Sequence, residues 1–185
     1  MLHELGVKYE VMPVDLRAGE HKQESFLKLN PTGQVPVLEN DGFVLSESMA
    51  INHYLGEKFG PGLLGETVED RAQAWKWSIW SYLNIQKHFG TIYFQTNFAP
   101  EKDQSLIDKA TQEISPYLAI LDKHLSVHTH LIGEKFSVAD INAGVAVGYG
   151  VGVRFDLSSF PNISRWYNQI TGRTGYLQAT GQGQN

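Results

Sequence analysis

The chain has 185 residues, of which 42% are hydrophobic and 19% charged, with a net charge of -5 and no cysteine. That length fits one large domain or two small ones, and the composition is ordinary for a soluble globular protein. The missing cysteines exclude disulfides, thiolate metal sites and a thiol nucleophile from this chain, mild acidity argues against nucleic acid or an anionic membrane surface as partner, and no apolar run is long enough to span a bilayer.

At the N-terminus no basic segment leads into an apolar one, so no secretory signal is read and the cytoplasm is the default compartment. Met1–Leu5 reads as the last turns of a helix that Gly6 stops, although no capping residue stands before it. Val7–Val14 then reads as a strand, with β-type residues through Glu10–Leu16. Gln23–Leu29 is a short helical pattern. Pro36–Glu39 and Phe43–Leu45 flank Asn40-Asp41-Gly42, a hairpin signal because Gly supplies φ > 0. Ser48–Phe59 reads as a helix with Ile51, Tyr54, Leu55 and Phe59 on one face, stopped by Gly60-Pro61-Gly62.

Beyond that point the periodicity is purely helical. Val68, Ala72, Trp75, Ile79, Tyr82, Phe89 and Tyr93 follow steps of four and three and predict a core stripe, broken only at Gln86. Trp77 and Trp80 lie off this stripe and are read as core or interface packing, with an apolar pocket wall as the alternative. A second run, Ile107, Ala110, Ile114, Leu118, Leu121 and Leu125, contains Pro116, where a kink or break is expected. A third helix starts at Ser137, with Asp140 completing a capping box and Phe136 and Ile141 a hydrophobic staple. Gly148, Gly150 and Gly152 mimic a phosphate loop but come after a helix start rather than a strand, so close helix packing is expected. His128 and His130 read as part of a polar loop rather than a metal site, and His53 as a surface residue. From Thr171 the Gly-, Gln- and Thr-rich tail is expected to fray.

Three pieces between residues 19 and 51 carry chemistry. Val35-Pro36 stands at a strand entry, where a bend would expose the backbone of Val35 to a peptide-like ligand. Ser46-Glu47-Ser48 lies where a strand gives way to a helix whose free N–H groups suit a carboxylate, while Glu47 suits an ammonium group. His21-Lys22 suits a second carboxylate. Taken alone, each is more simply an edge-strand proline, a helix cap and a solvated loop.

Order and spacing change that balance. GEHK at 19–22, NPTGQVPVL at 30–38 and ESMAI at 47–51, with FSVADI at 136–141, resemble the glutathione S-transferase family, and the gaps are most similar to its phi- and theta-like classes. The resemblance spans essentially the whole chain. It implies an α/β thioredoxin-like domain, incomplete at its start, over residues 1–60, followed by an all-α helical domain over residues 67–185. It implies a cis Pro36, with the backbone of Val35 pairing with the cysteinyl part of glutathione, Glu47 and Ser48 at its γ-glutamyl end, His21 and Lys22 at its glycyl carboxylate, and Gln34 beside them.

The activity implied is conjugation of the glutathione thiolate to a small apolar electrophile by a homodimer without a metal; a non-catalytic, glutathione transferase-like binding or scaffold module is the alternative. Family members begin with a strand, a loop and a helix start that carry the activating Ser, Tyr or Cys. Met1 matches a point inside that helix, so roughly 15–20 preceding residues are expected, from a strand of about 5–6, a loop of about 2–6 and two helical turns. No catalytic residue is therefore assigned here, and the first domain is expected to be weakened or to borrow a strand.

Overall fold

Asp41 and Gly42, at φ of +53° and +79°, turn the chain back on itself as the Asp-Gly pair predicts. They join β1 (Val37–Asn40) to β2 (Phe43–Ser46) as an antiparallel hairpin, with Val37 opposite Ser46 and Asn40 opposite Phe43. The structure is a computed structural model and describes residues 1–182.

The hairpin sits between short helices. α1 (Leu2–Leu5) ends on Gly6 at φ +62°, whose N–H returns to the carbonyl of His3. The strand expected over Val7–Val14 and on through Glu10–Leu16 does not form. The described sheet contains β1 and β2 alone, so this segment has no ladder partner, and Tyr9, Val11, Met12 and Leu16 are exposed. α2 (Glu24–Leu27) is shorter than its pattern, and α3 (Ser48–Phe59) has the expected bounds. Ile51 and Leu55 are its buried apolar residues, whereas Phe59 is exposed; His53, expected at the surface, is buried.

The rest is helical. α4 (Val68–Ser81) starts with a reciprocal cap, Asp70 N–H to Thr67 Oγ1 at 3.0 Å and Thr67 N–H to Asp70 Oδ2 at 3.1 Å. A widened π-type turn, Tyr82–Gln86, leads into α5 (Lys87–Asn97). The stripe expected to be core is reversed along α4: Val68, Trp75, Ile79 and Tyr82 are exposed and Trp77 is buried. Small residues explain this. Ala74, Ser78 and Ser81 lie on the buried face and let α7 approach closely, and the wide turn shifts the phase so that Ile85, Phe89 and Ile92 continue it.

α6 (Gln104–Leu125) is continuous through Pro116, so of the kink or break expected there the break does not occur. Pro116 is on the exposed face, where the carbonyl of Gln112 that loses its N–H partner meets solvent, while Ala110, Ile114, Leu118, Leu121 and Leu125 anchor the other face. α7 (Val138–Gly152) is the central helix, with nine of its residues buried. Its start is tied down: Asp140 accepts from Ser137 N–H and Oγ–H, from Leu131 N–H and from Trp166 Nε1–H. Gly150 lets it meet α5, because a Cβ there would stand 2.5 Å from the Phe89 ring.

α8 (Pro161–Thr171) takes its cap from Asp122 of α6, which accepts from the N–H groups of Asn162 and Ile163. The tail expected to fray from Thr171 instead forms α9 (Thr174–Ala179); residues 183–185 of that tail lie outside the described residues. Arg173, just before α9, pairs with Glu4 of α1 at 2.8 Å and lies 3.7 Å over the Phe136 ring. The main core cluster draws all its residues from Leu64 onward. The first sixty residues therefore form a thin layer on a well-packed helical body.

Candidate functional site

The loop ahead of α2 is shaped by its own side chains. Asp15 Oδ1 accepts from the N–H groups of Arg17 and Ala18, and Glu20 Oε2 accepts from Asp15 N–H at 2.7 Å. Gly19, at φ +78°, then opens a single turn of helix, Glu20–Lys22. That turn packs on Gly33, where a Cβ would lie 2.9 Å from both the His21 carbonyl oxygen and Lys22 Nζ. Gly33 is also at φ +62°, so glycine is required there on two grounds. Lys22 Nζ donates to the Gly33 carbonyl at 3.4 Å.

The next link is a residue to which sequence reasoning assigns no role. Asn30 is buried; its Nδ2 donates to the Gln34 carbonyl at 2.7 Å, and its Oδ1 accepts from Thr32 N–H and Oγ1–H. Asn ahead of Pro-Thr-Gly is the available signal, since Asn side chains organise turns in this way. Val35 comes next, half out in solvent, and its bond to Pro36 is cis.

Register completes the constellation. Val37 pairs with Ser46, so Val35-Pro36 enters the hairpin at the same end from which Glu47-Ser48 leaves it. Glu47 precedes α3 at φ +72°, an uncommon conformation for a residue with a side chain. Its carbonyl accepts the first helical bond, from Ile51 N–H, but its side chain caps none of the first-turn N–H groups. Glu47 and Ser48 are exposed.

The fold thus arranges the six sequence-derived residues in order along one edge. His21 and Lys22 contact Gly33; Gln34 and Val35 are next; Glu47 and Ser48 lie across the hairpin end. The Lys22 ammonium beside the His21 imidazole marks one end, and an uncapped helix start with a carboxylate marks the other. Val35 lies outside the β1–β2 ladder, leaving its backbone for another extended chain. At His21, Nδ1 is enclosed without a hydrogen-bond partner among the described residues. A separate, mostly apolar cavity of about 420 Å³ lies between α1, α7, α8 and α9, with Val145, Tyr149 and Tyr167 in its wall; none of the six residues lines it. Burial raises the pKa of Tyr167, keeping its hydroxyl neutral.

Residues 1–57 match the family profile described as glutathione S-transferase, N-terminal domain, and residues 79–174 that of the glutathione S-transferase C-terminal domain. The chain is 33% identical over 190 aligned residues to glutathione S-transferase F9 of Arabidopsis thaliana, covering 96% of this chain and 87% of that protein. Its fold matches glutathione transferase F7 from Populus trichocarpa with a TM-score of 0.90 at 31% identity, over 100% of this chain and 91% of the other. Glutathione S-transferase I from maize, solved with an atrazine glutathione conjugate, matches with a TM-score of 0.90 at 26% identity, over 98% and 89% of the two chains. The architecture is accordingly a thioredoxin-like α/β domain with a small sheet, followed by an all-helical domain.

Proposed function

The chain belongs to the glutathione S-transferase family, and on that footing we propose that residues 1–60 form its glutathione-binding domain and residues 67–185 the helical domain that completes the enzyme. Glutathione lies along the edge that runs from His21 to Ser48. Its glycyl carboxylate meets Lys22 Nζ and the His21 imidazole, with Gln34 alongside. Its cysteinyl backbone pairs with Val35. Its γ-glutamyl carboxylate takes the free N–H groups at the start of α3 and the Ser48 hydroxyl, and its ammonium group takes the Glu47 carboxylate.

The observation that carries this reading is the hairpin register. It brings a basic loop, an unpaired backbone segment and an uncapped helix start into the order in which a twice-anionic tripeptide needs them. The reaction is formation of a bond from the glutathione sulfur to an electrophilic carbon of a small apolar molecule, with loss of a leaving group or addition across an activated double bond. None of the six residues is assigned to thiolate activation; they bind and orient.

The protein acts as a homodimer in this reading. Ile79 of α4, Tyr82 just beyond its end and the open part of Trp75 present an exposed apolar surface, and a second copy is the partner that the family association favours. Sedimentation of the chain and of an Ile79→Glu variant reads this directly; a parent that sediments as a monomer contradicts it.

Isothermal calorimetry tests the ligand. Glutathione is expected to release heat on binding, and Glu47→Ala to weaken binding by about 10-fold or more, the usual loss for a hydrogen bond to a charged group. Binding that ignores Glu47 rejects the site, and a chain that takes up no glutathione rejects the ligand.

A further inference from the structure

α3 is tied to the helical body by a chain of polar side chains that the glutathione site does not use. One turn beyond Ser48, Asn52 Nδ2 donates to Asn142 Oδ1 of α7 at 2.7 Å. Asn142 Nδ2 donates in turn to Ser78 Oγ of α4 at 2.9 Å. Ser78 gives its own proton to the carbonyl of Ala74 at 2.8 Å. Its oxygen therefore acts as acceptor towards His53 Nε2, 3.4 Å away, which puts the imidazole proton on that nitrogen. An aromatic contact adds to these bonds: the His53 ring lies on Trp75, 3.5 Å between centroids and 8° from parallel. Burial holds the His53 pKa down to about 4, so the ring stays neutral at ordinary pH.

Three of these four hydrogen-bonding residues, His53, Ser78 and Asn142, are buried, and Asn52 is half-buried. Apolar contact also holds α3, since a Cβ at Gly56 would stand 2.7 Å from Leu64 Cδ2 of the core cluster. Its buried apolar side chains, Ile51 and Leu55, stand outside the main core cluster. Apolar packing is non-directional, whereas a hydrogen bond fixes distance and angle. Directional bonds to two helices at once, starting one turn from the residues at its tip, thus join apolar contact in holding α3 on the body.

We propose that Asn52, His53, Ser78 and Asn142 are positioning residues for ligand binding: their network sets the N-terminus of α3, and with it the γ-glutamyl end of the glutathione site, against the helical domain. The proposal rests on the assignment of Glu47 and Ser48 to that end. None of the four needs to touch glutathione. Asn52 is a helical turn away, and Ser78 and Asn142 belong to other helices.

The test uses the full chain and the variants Asn52→Ala, Asn142→Ala and the double substitution. Glutathione affinity is read by calorimetry and amide hydrogen exchange by mass spectrometry. Each single variant is expected to weaken glutathione binding about 3–10-fold, and the double variant no further than the weaker single one, because both cut the same linkage. Exchange across Ile51–Leu55, the first hydrogen-bonded amides of α3, is expected to speed up at least about 10-fold relative to Ile114–Leu118 of α6, which keeps its parental protection. A merely structural role loses protection in α3 and α6 alike and overturns the proposal. Parental affinity with parental exchange in both single variants overturns it too, as do losses that multiply in the double variant. A parent chain that binds no glutathione defeats the assignment of the ligand alone, and the exchange ratio between α3 and α6 still decides whether the network positions the helix.

Discussion

Two helix starts in this chain face the same chemical problem and resolve it in opposite ways. Every helix begins with backbone N–H groups that have no partner within the helix. At α7, Ser137 and Asp140 close the start, and Asp140 also accepts from Leu131 and Trp166, all inside the core. At α3, Glu47 precedes the helix at positive φ, no side chain caps the first turn, and Glu47 and Ser48 face solvent. The closed start is framework, since its donors are consumed by the fold. The open one leaves donors and a carboxylate available to a ligand.

The strongest way to break this contrast is to open the closed start. Asp140→Ala strands three N–H donors and a hydroxyl in the core, at about 1–3 kcal/mol for each unsatisfied group. A loss of about 3–5 kcal/mol is expected in urea unfolding. A loss below about 1 kcal/mol would show that the start of α7 is not structural.

Further along α7, Gly150→Ala pushes a Cβ to 2.5 Å from the buried Phe89 ring. Overpacking of that kind costs about 1–3 kcal/mol, and glutathione binding should persist wherever the variant is folded. A neutral substitution would mean that the glycines at 148, 150 and 152 serve something other than close packing.

The link between the two regions is sharpened by pH. His53 has a folded pKa of about 4 against an ordinary value of 6.5, so between these values the unfolded chain binds a proton that the folded chain does not. The stability that His53 contributes is complete above about pH 6.5 and declines as pH falls towards 4. His88 and His124, whose pKa values burial also lowers, act in the same direction. The difference between parent and His53→Gln in chemical denaturation from pH 7 to pH 4.5 isolates the share of His53; parallel curves would show that its burial has no energetic consequence.

The smallest expected effect is the most pointed. Glu47→Gly removes a side chain from a positive-φ position and should leave stability unchanged or raise it by up to about 1 kcal/mol. Glutathione affinity should fall all the same. A variant that loses stability and keeps affinity would invert the roles given to the two helix starts.

How legible each feature is in the sequence depends on how local its cause is. The Asp41-Gly42 turn, the Ser137 start of α7 and the bounds of α3 depend on neighbours in sequence, and the structure has the turn and the helix starts. The buried face of α4 is not legible, because both faces carry apolar residues. The choice rests on small residues that admit α7 and on a wide turn that no simple period anticipates. His53 reads as exposed because its packing partners, Trp75 and Ser78, come from a different helix. Residues 7–14 have the composition of a strand, but a strand also requires a partner. Asn30 is visible within its motif, yet its role as organiser of the loop emerges only when its three hydrogen bonds are seen together.

Glutathione bound along the open edge from His21 to Ser48 should leave the closed framework unaltered. Amide hydrogen exchange of the chain with and without saturating glutathione addresses it directly. New protection is expected in the segments containing residues 21–22, 33–35 and 47–51, with the segment spanning residues 137–150 unchanged. Protection that appears instead around the cavity between α1, α7, α8 and α9, with none at the start of α3, would contradict it.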